Sequence, residues 1–267
     1  DVVATHGGIR YLEYYQFKLV FEACGERCMM RTVAPRLVRP LPFLYPLYRG
    51  QKPAPWKLRA GLTLYDALGL FRNVQQHRWL HPAEVQRREP MVAGRGLLGA
   101  ARFYDAQVDD ARLVLRLIFE GMADGGTALN YTRVTGIRRN SRGRLTGVRA
   151  TDTETGRERN LSAGAVINAT GVWADQIRHM DDPGAGDMIR VNRGSHLVLP
   201  RERLQIRGAL AFSSADGRRA MYGVPWGHTC IVGTTDLDHP GDLDQVYAST
   251  EEVDCMLDAV NHAFPGA

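Results

Sequence analysis

The sequence predicts an α/β layer joined to a mostly antiparallel β-sheet. Three observations lead there: helix and strand periodicities alternate early in the chain, short strand-like runs dominate later, and a proline-rich stretch marks a change of layer between the first two helical stripes. At 267 residues the chain can bury a sizeable core, as one large domain or two intertwined ones. Its 44% hydrophobic and 24% charged content is ordinary for a globular protein that dissolves in water.

The elements follow in order. A glycine pair, Gly7-Gly8, precedes Leu12, Tyr15, Leu19 and Ala23 at helical spacing, so Arg10 sits in the first turn of a helix beside free backbone N–H groups. The stretch "APRLVRPLPFLYPLYRGQKPAPW" reads as an extended crossing rather than a regular element. Leu58, Leu62, Tyr65 and Leu68 form a second helical stripe ending near Gly69. "RFYDAQVD" reads as a strand, Asp109 as an N-cap, and "DARLVLRLIFEGMADGG" as a helix closed by glycine. "TALNYTRVTGI", "LTGVRATD" and "ERNLSA" read as strands joined by turns, and "AVINATG" as an apolar strand running into a glycine turn before a helix from Trp173. "HLVLP", "GALAFS", "MYGVPW" and "CIVGTTD" complete the strands, and a helix precedes the final "FPGA".

Composition excludes several classes. The net charge of +5, from 34 Lys+Arg against 29 Asp+Glu, is small and scattered, with no basic run interleaved with aromatics, so no nucleic-acid partner is expected. Cysteines 24, 28, 230 and 255 form no CxxC pair and read as thiols in a reducing compartment. No apolar stretch approaches a membrane span and no signal peptide is evident. Starting at Asp1 and stopping just after a helix, the chain reads as a piece of something longer.

Among the motifs, a literal GxGxxG at Gly94–Gly99 lacks the preceding strand and following helix that a dinucleotide fingerprint needs. His77 and His81 lack a partner carboxylate in an HExxH arrangement, so no metal site is expected. Asp109-Asp110 reads as a helix cap rather than a catalytic pair. "VINATGVWAD" would bring small residues and backbone N–H groups to the carboxyl end of a sheet, where α/β folds bind ligands, or form a generic corner. Arg190, Arg193 and His196 surround Gly194-Ser195, a grouping that suits an anionic substrate beside a general base. Thr234 and Thr235 at another strand end would position a substrate oxygen or cap a turn.

Taken together, "HGGIRYLE", "YDAQVDDARLVL", "VINATGVWAD", "RGSHLVLP" and "VPWGHTCIVGTTDLDHPGD" resemble the FAD-dependent glycerol-3-phosphate dehydrogenases, from His6 to the last helix. The resemblance implies an incomplete FAD-binding Rossmann-like layer of the D-amino-acid-oxidase and glycine-oxidase type, with residues 1–34 and 99–190, and a substrate domain, with 35–98 and 191–267. It places His6, Gly7, Gly8, Val134, Ala169, Thr170, Gly171 and Trp173 against FAD, and Arg10, His196, Thr234 and Thr235 against sn-glycerol 3-phosphate, with His196 and Arg10 catalytic. It also implies electron transfer to quinone, peripheral attachment to the inner face of the bacterial cytoplasmic membrane, and a homodimer as a candidate assembly. A glycerol-3-phosphate oxidase, an amine or amino-acid oxidase, or a non-catalytic remnant are the alternatives. The family's GxGxxG unit would precede Asp1, and its Gly-Val-Arg-Pro-Leu segment would follow Ala267.

Overall fold

A computed structural model describes residues 2–5, 7–214 and 220–265; the side chains of residues 2–5 and 10 lie outside that description, as does His6. The chain packs as two compact units, one of residues 1–117, 194–235 and 248–267, the other of 118–193 and 236–247. Two boundaries expected from the sequence, at 34/35 and 98/99, fall inside the first unit. The reason is pairing: the strand Leu97–Asp109 stays whole and runs beside Val38–Tyr48 along almost its full length.

The first unit is built on one sheet. Its strands are β1 (Val2–Thr5), β2 (Val38–Tyr48), β3 (Arg78–Leu80) and β4 (Leu97–Asp109), then β9 (His196–Pro200), β10 (Ala209–Ser213), β11 (Ala220–Trp226) and β12 (Thr229–Gly233). The order is β1-β4-β2-β10-β11-β12-β9 with β3 beside β4, and every pairing is antiparallel except β10 on β2. The mostly antiparallel sheet expected from the sequence is present.

β2 corrects the sequence expectation of an irregular crossing. Pro40, Pro42 and Pro46 share one parity, so their missing N–H groups all point to the same edge, and the ladder to β4 on the other edge is not interrupted. On the proline edge β10 pairs only at Phe43 and Leu44. β2 is buried on both faces: Leu44 joins a core with Leu80, Leu210, Val260 and Phe264, while Leu41 and Phe43 join another with Val20, Leu62, Tyr65 and Phe103.

Helices cover both faces. A 3-10 turn (Ile9–Tyr14) breaks at Tyr15, whose φ is 57°, before α1 (Phe17–Val33). α2 (Pro55–Leu68) carries the expected stripe, with Leu62 and Tyr65 buried, and ends at Gly69. α3 (Pro82–Arg88) and α6 (Thr250–Ala263) pack the other core through Val85, Val260 and Phe264. α4 (Asp110–Ala123) starts where expected: Asp109 accepts from the Arg112 N–H at 3.1 Å.

In the second unit the three expected strands, β5 (Thr132–Arg139), β6 (Leu145–Asp152) and β7 (Glu158–Ser162), pair as an antiparallel sheet. β8 (Asn192–Arg193) pairs with β13 (Leu237–Asp238). α5 (Ala174–Asp181) follows a 3-10 turn, Gly171–Trp173. The strand expected at "AVINATG" is not formed. A buried strand needs ladder partners on its edges, and among the described residues no strand pairs with it, so Ile167 stands 89% exposed.

Candidate functional site

In the first unit, β9 and β12 lie side by side with His196 opposite Gly233. A Cβ on Gly233 would come within 2.5 Å of the His196 ring, so glycine is required for the imidazole to lie across this strand. His196 is exposed, yet desolvation lowers its pKa from the ordinary value, which favours a neutral ring at pH 7. The group that a proton transfer needs is therefore reachable, with its neutral form favoured by desolvation. Thr234 is also exposed, with its hydroxyl donating to the Thr235 carbonyl at 2.8 Å.

Beneath these two exposed residues is a buried polar layer. Thr235 is 1% exposed; its hydroxyl accepts from the Ser195 N–H at 2.8 Å and donates to Glu252 Oε1 at 2.7 Å. The Ser195 hydroxyl donates to the same oxygen at 3.0 Å. Thr235 thus faces inward, whereas Thr234 faces outward. Sequence reasoning missed Glu252, although Ser249-x-x-Glu252 carries a capping-box pattern; the Ser249 N–H donates to Glu252 Oε2 at 2.9 Å.

The Gly7-Gly8 turn lies after β1, and β9 lies at the opposite end of the strand path. Both glycines are buried. The Gly7 N–H donates to Asp105 Oδ1 at 3.0 Å, and that carboxylate also receives Tyr65 Oη at 2.6 Å and an ion pair from Arg27. Arg27 donates to Tyr65 Oη and Asn73 as well. A side chain at Gly7 would collide with Tyr65, Arg27 and Cys24. This buried cluster, drawn from α1, α2 and β4, was not legible locally because its members lie up to 98 residues apart. His77 likewise finds a non-local partner, its Nδ1 2.7 Å from Asp66 Oδ2.

In the second unit, Ala169, Thr170 and Gly171 form an exposed turn. Asn168 organises it: its Oδ1 accepts the Thr170 hydroxyl at 2.7 Å and its Nδ2 donates to the Ala174 carbonyl at 2.9 Å. Gly171 has φ 57°, and open space surrounds the position of its missing side chain. Trp173 donates through Nε1 to Asp244 at 3.1 Å. Val134 lies half-buried on β5 opposite Ala150, next to a bulge. Arg190 is engaged by Asp238 in an ion pair within this unit. Among the described residues no cluster of three or more His, Cys, Asp or Glu side chains could hold a metal ion, and no helix is long and apolar enough to cross a membrane.

Comparison with known proteins gives this geometry its class. The model of the FAD dependent oxidoreductase family matches residues 4–267, and the chain belongs to that family. Within it, the chain is 37% identical over 257 residues to a glycerol-3-phosphate dehydrogenase of Mycobacterium leprae, covering 96% of this chain and 43% of that protein. It is 32% identical over 269 residues to an alpha-glycerophosphate oxidase of Streptococcus pyogenes, covering 98% and 44%. The structure of glycerol-3-phosphate dehydrogenase from Bacillus halodurans complexed with FAD superposes with a TM-score of 0.77 at 26% identity, over 91% of this chain and 43% of that one. Glycine oxidase from Geobacillus kaustophilus shares the fold at a TM-score of 0.68 and 21% identity, over 92% and 63%. The chain thus spans under half the length of the curated relatives it matches. The resemblance drawn from the five motifs, and the fold class it implied, are borne out.

Proposed function

We propose that this chain carries the substrate corner and part of the flavin-facing surface of an enzyme that oxidises sn-glycerol 3-phosphate to dihydroxyacetone phosphate. The observation that carries the reading is the exposed His196, at the start of β9 opposite Gly233, which precedes Thr234, with the residues beside it held from below by Ser195, Thr235 and Glu252. The similarity to glycerol-3-phosphate dehydrogenases supplies the substrate class.

The residues present fit FAD. The segment before Gly171 exposes backbone and small side chains, and the open space at Gly171 leaves room for a flat ligand against the turn. When bound, FAD supplies the acceptor for the hydride that leaves C2 of the substrate. His196 supports that step by taking the hydroxyl proton on an imidazole nitrogen, so the C2–O bond becomes a carbonyl as hydride and proton depart. Thr234 lines the substrate side, and Arg10 stabilises developing negative charge. His6, Gly7, Gly8, Val134 and Trp173 complete the flavin-facing set, with residues 1–34 and 99–190 serving FAD and 35–98 and 191–267 the substrate. Quinone as the electron acceptor, attachment to the inner face of the cytoplasmic membrane and a homodimer belong to the same reading, supported by the family resemblance.

His196→Ala, in the complete polypeptide that carries this sequence, is expected to lower turnover by about 10²–10⁴-fold with flavin absorbance retained. Unchanged turnover removes His196 from the reaction. In the parent enzyme kcat/KM should fall as pH drops below the ordinary histidine value of about 6.5, because a protonated ring accepts no proton. The oxidase reading, favoured by the Streptococcus pyogenes relative, predicts oxygen uptake stoichiometric with substrate and no need for a quinone.

A further inference from the structure

We infer that Glu252 is a positioning residue for the reaction centre: it clamps the turn bearing His196 to the turn bearing Thr234 through the hydroxyls of Ser195 and Thr235. This rests on the functional reading above for its catalytic meaning, and on geometry for its existence. Glu252 is 3% exposed, and Oε1 receives Thr235 at 2.7 Å and Ser195 at 3.0 Å. Ser195 and Thr235 are further joined by the Ser195 N–H to Thr235 Oγ1, at 2.8 Å, and by the Thr235 N–H to the Ser195 carbonyl, at 3.3 Å. Each clamped residue immediately neighbours an exposed one, Ser195 before His196 and Thr235 after Thr234. Oε2 meanwhile receives the N–H of Ser249, so one buried carboxylate ties the start of α6 to both turns.

A helix cap alone needs only Oε2. The second oxygen, aimed away from the cap and into two hydroxyls, is what a cap does not explain. A carboxylate accepts at both ends, whereas glutamine keeps the bond from Ser249 only by meeting the two hydroxyls with its amide N–H groups, which reverses both of those bonds and removes the charge. Displacing the turn by about 1 Å is enough to cost on the order of 100-fold in a reaction that depends on alignment.

The test compares Glu252→Gln, Thr235→Val and Ser249→Ala. Ring resonances of His196 are followed by NMR in the 267-residue chain, with His196→Gln assigning them, and kinetics are measured in the complete polypeptide. Glu252→Gln and Thr235→Val are expected to shift the His196 ring signals and to lower kcat about 10–100-fold with KM little changed. Ser249→Ala, which removes the Ser249 side-chain cap but leaves the hydroxyl bonds to Glu252, should lower thermal stability and leave the ring signals in place. Should Glu252→Gln not fold, Thr235→Val puts the same question from the other side of the bridge. Unmoved His196 signals in a folded Thr235→Val chain, which has no hydroxyl to bridge with, overturn the proposal and leave Glu252 as a cap. Wild-type turnover in His196→Ala would sink the functional reading instead, and the ring signals would still decide the clamp.

Discussion

Two glycine turns that read alike in the sequence have opposite surroundings. At Gly7 the backbone is buried, its N–H is held by Asp105, and the space for a side chain is filled by Tyr65, Arg27 and Cys24. At Gly171 the turn is exposed, its conformation requires a positive φ, and the space beside it is open. The first glycine is demanded by packing inside the fold. The second is demanded by backbone conformation, and its open side is available to something outside the described residues. The same residue type thus answers to side-chain packing at one turn and to backbone conformation at the other.

The sharpest way to break the contrast is to remove the anchor of the first turn. Asp105→Ala strands Arg27 and the Gly7 N–H in a buried site, and loss of one partner of a buried pair costs about 3–5 kcal/mol. Chemical denaturation of the chain should show this as a lower midpoint at unchanged slope; a midpoint within error of the parent would mean that the cluster is not the anchor. Next in size is Gly7→Ala. Its new methyl group must displace side chains in a packed core, an overpacking cost of about 1–3 kcal/mol.

The same contrast explains what was legible in the sequence. Helix α2 and the strands β9 to β12 were readable because the periodicity that marks each lies within its own short segment. Of the candidate site, His196 and Thr234 were readable as a strand-end pair, but the clamp beneath them was not, because Glu252 meets Ser195 across 57 residues. β2 was misread because proline was counted as a breaker without regard to parity. "AVINATG" was misread for the converse reason. Its apolar run matches a buried strand, but a strand is a property of a pair, and no described residue supplies the other edge.

Gly171→Ala sharpens the contrast from the other side. The alanine meets no neighbour, so its cost is the left-handed conformation alone, about 1–2 kcal/mol, less than overpacking and burial together would exact at Gly7. If Gly171→Ala proved the more damaging of the two in the chain without ligand, the open side of that turn would have to be closed by contacts within the protein.

The smallest expected effect is at Ile167. Standing 89% exposed, its side chain removes little surface from water in this fold, so Ile167→Ser should change the stability of the 267-residue chain by no more than about 0.5 kcal/mol. An isoleucine in a buried strand behaves differently, since truncating such a side chain costs about 2–5 kcal/mol. The two figures separate two descriptions of the segment before Gly171. A near-zero effect keeps it as an unpaired apolar edge in this chain, while a loss of several kcal/mol would show that the segment finds a covering partner in solution, in a second copy of the chain if the loss depends on protein concentration.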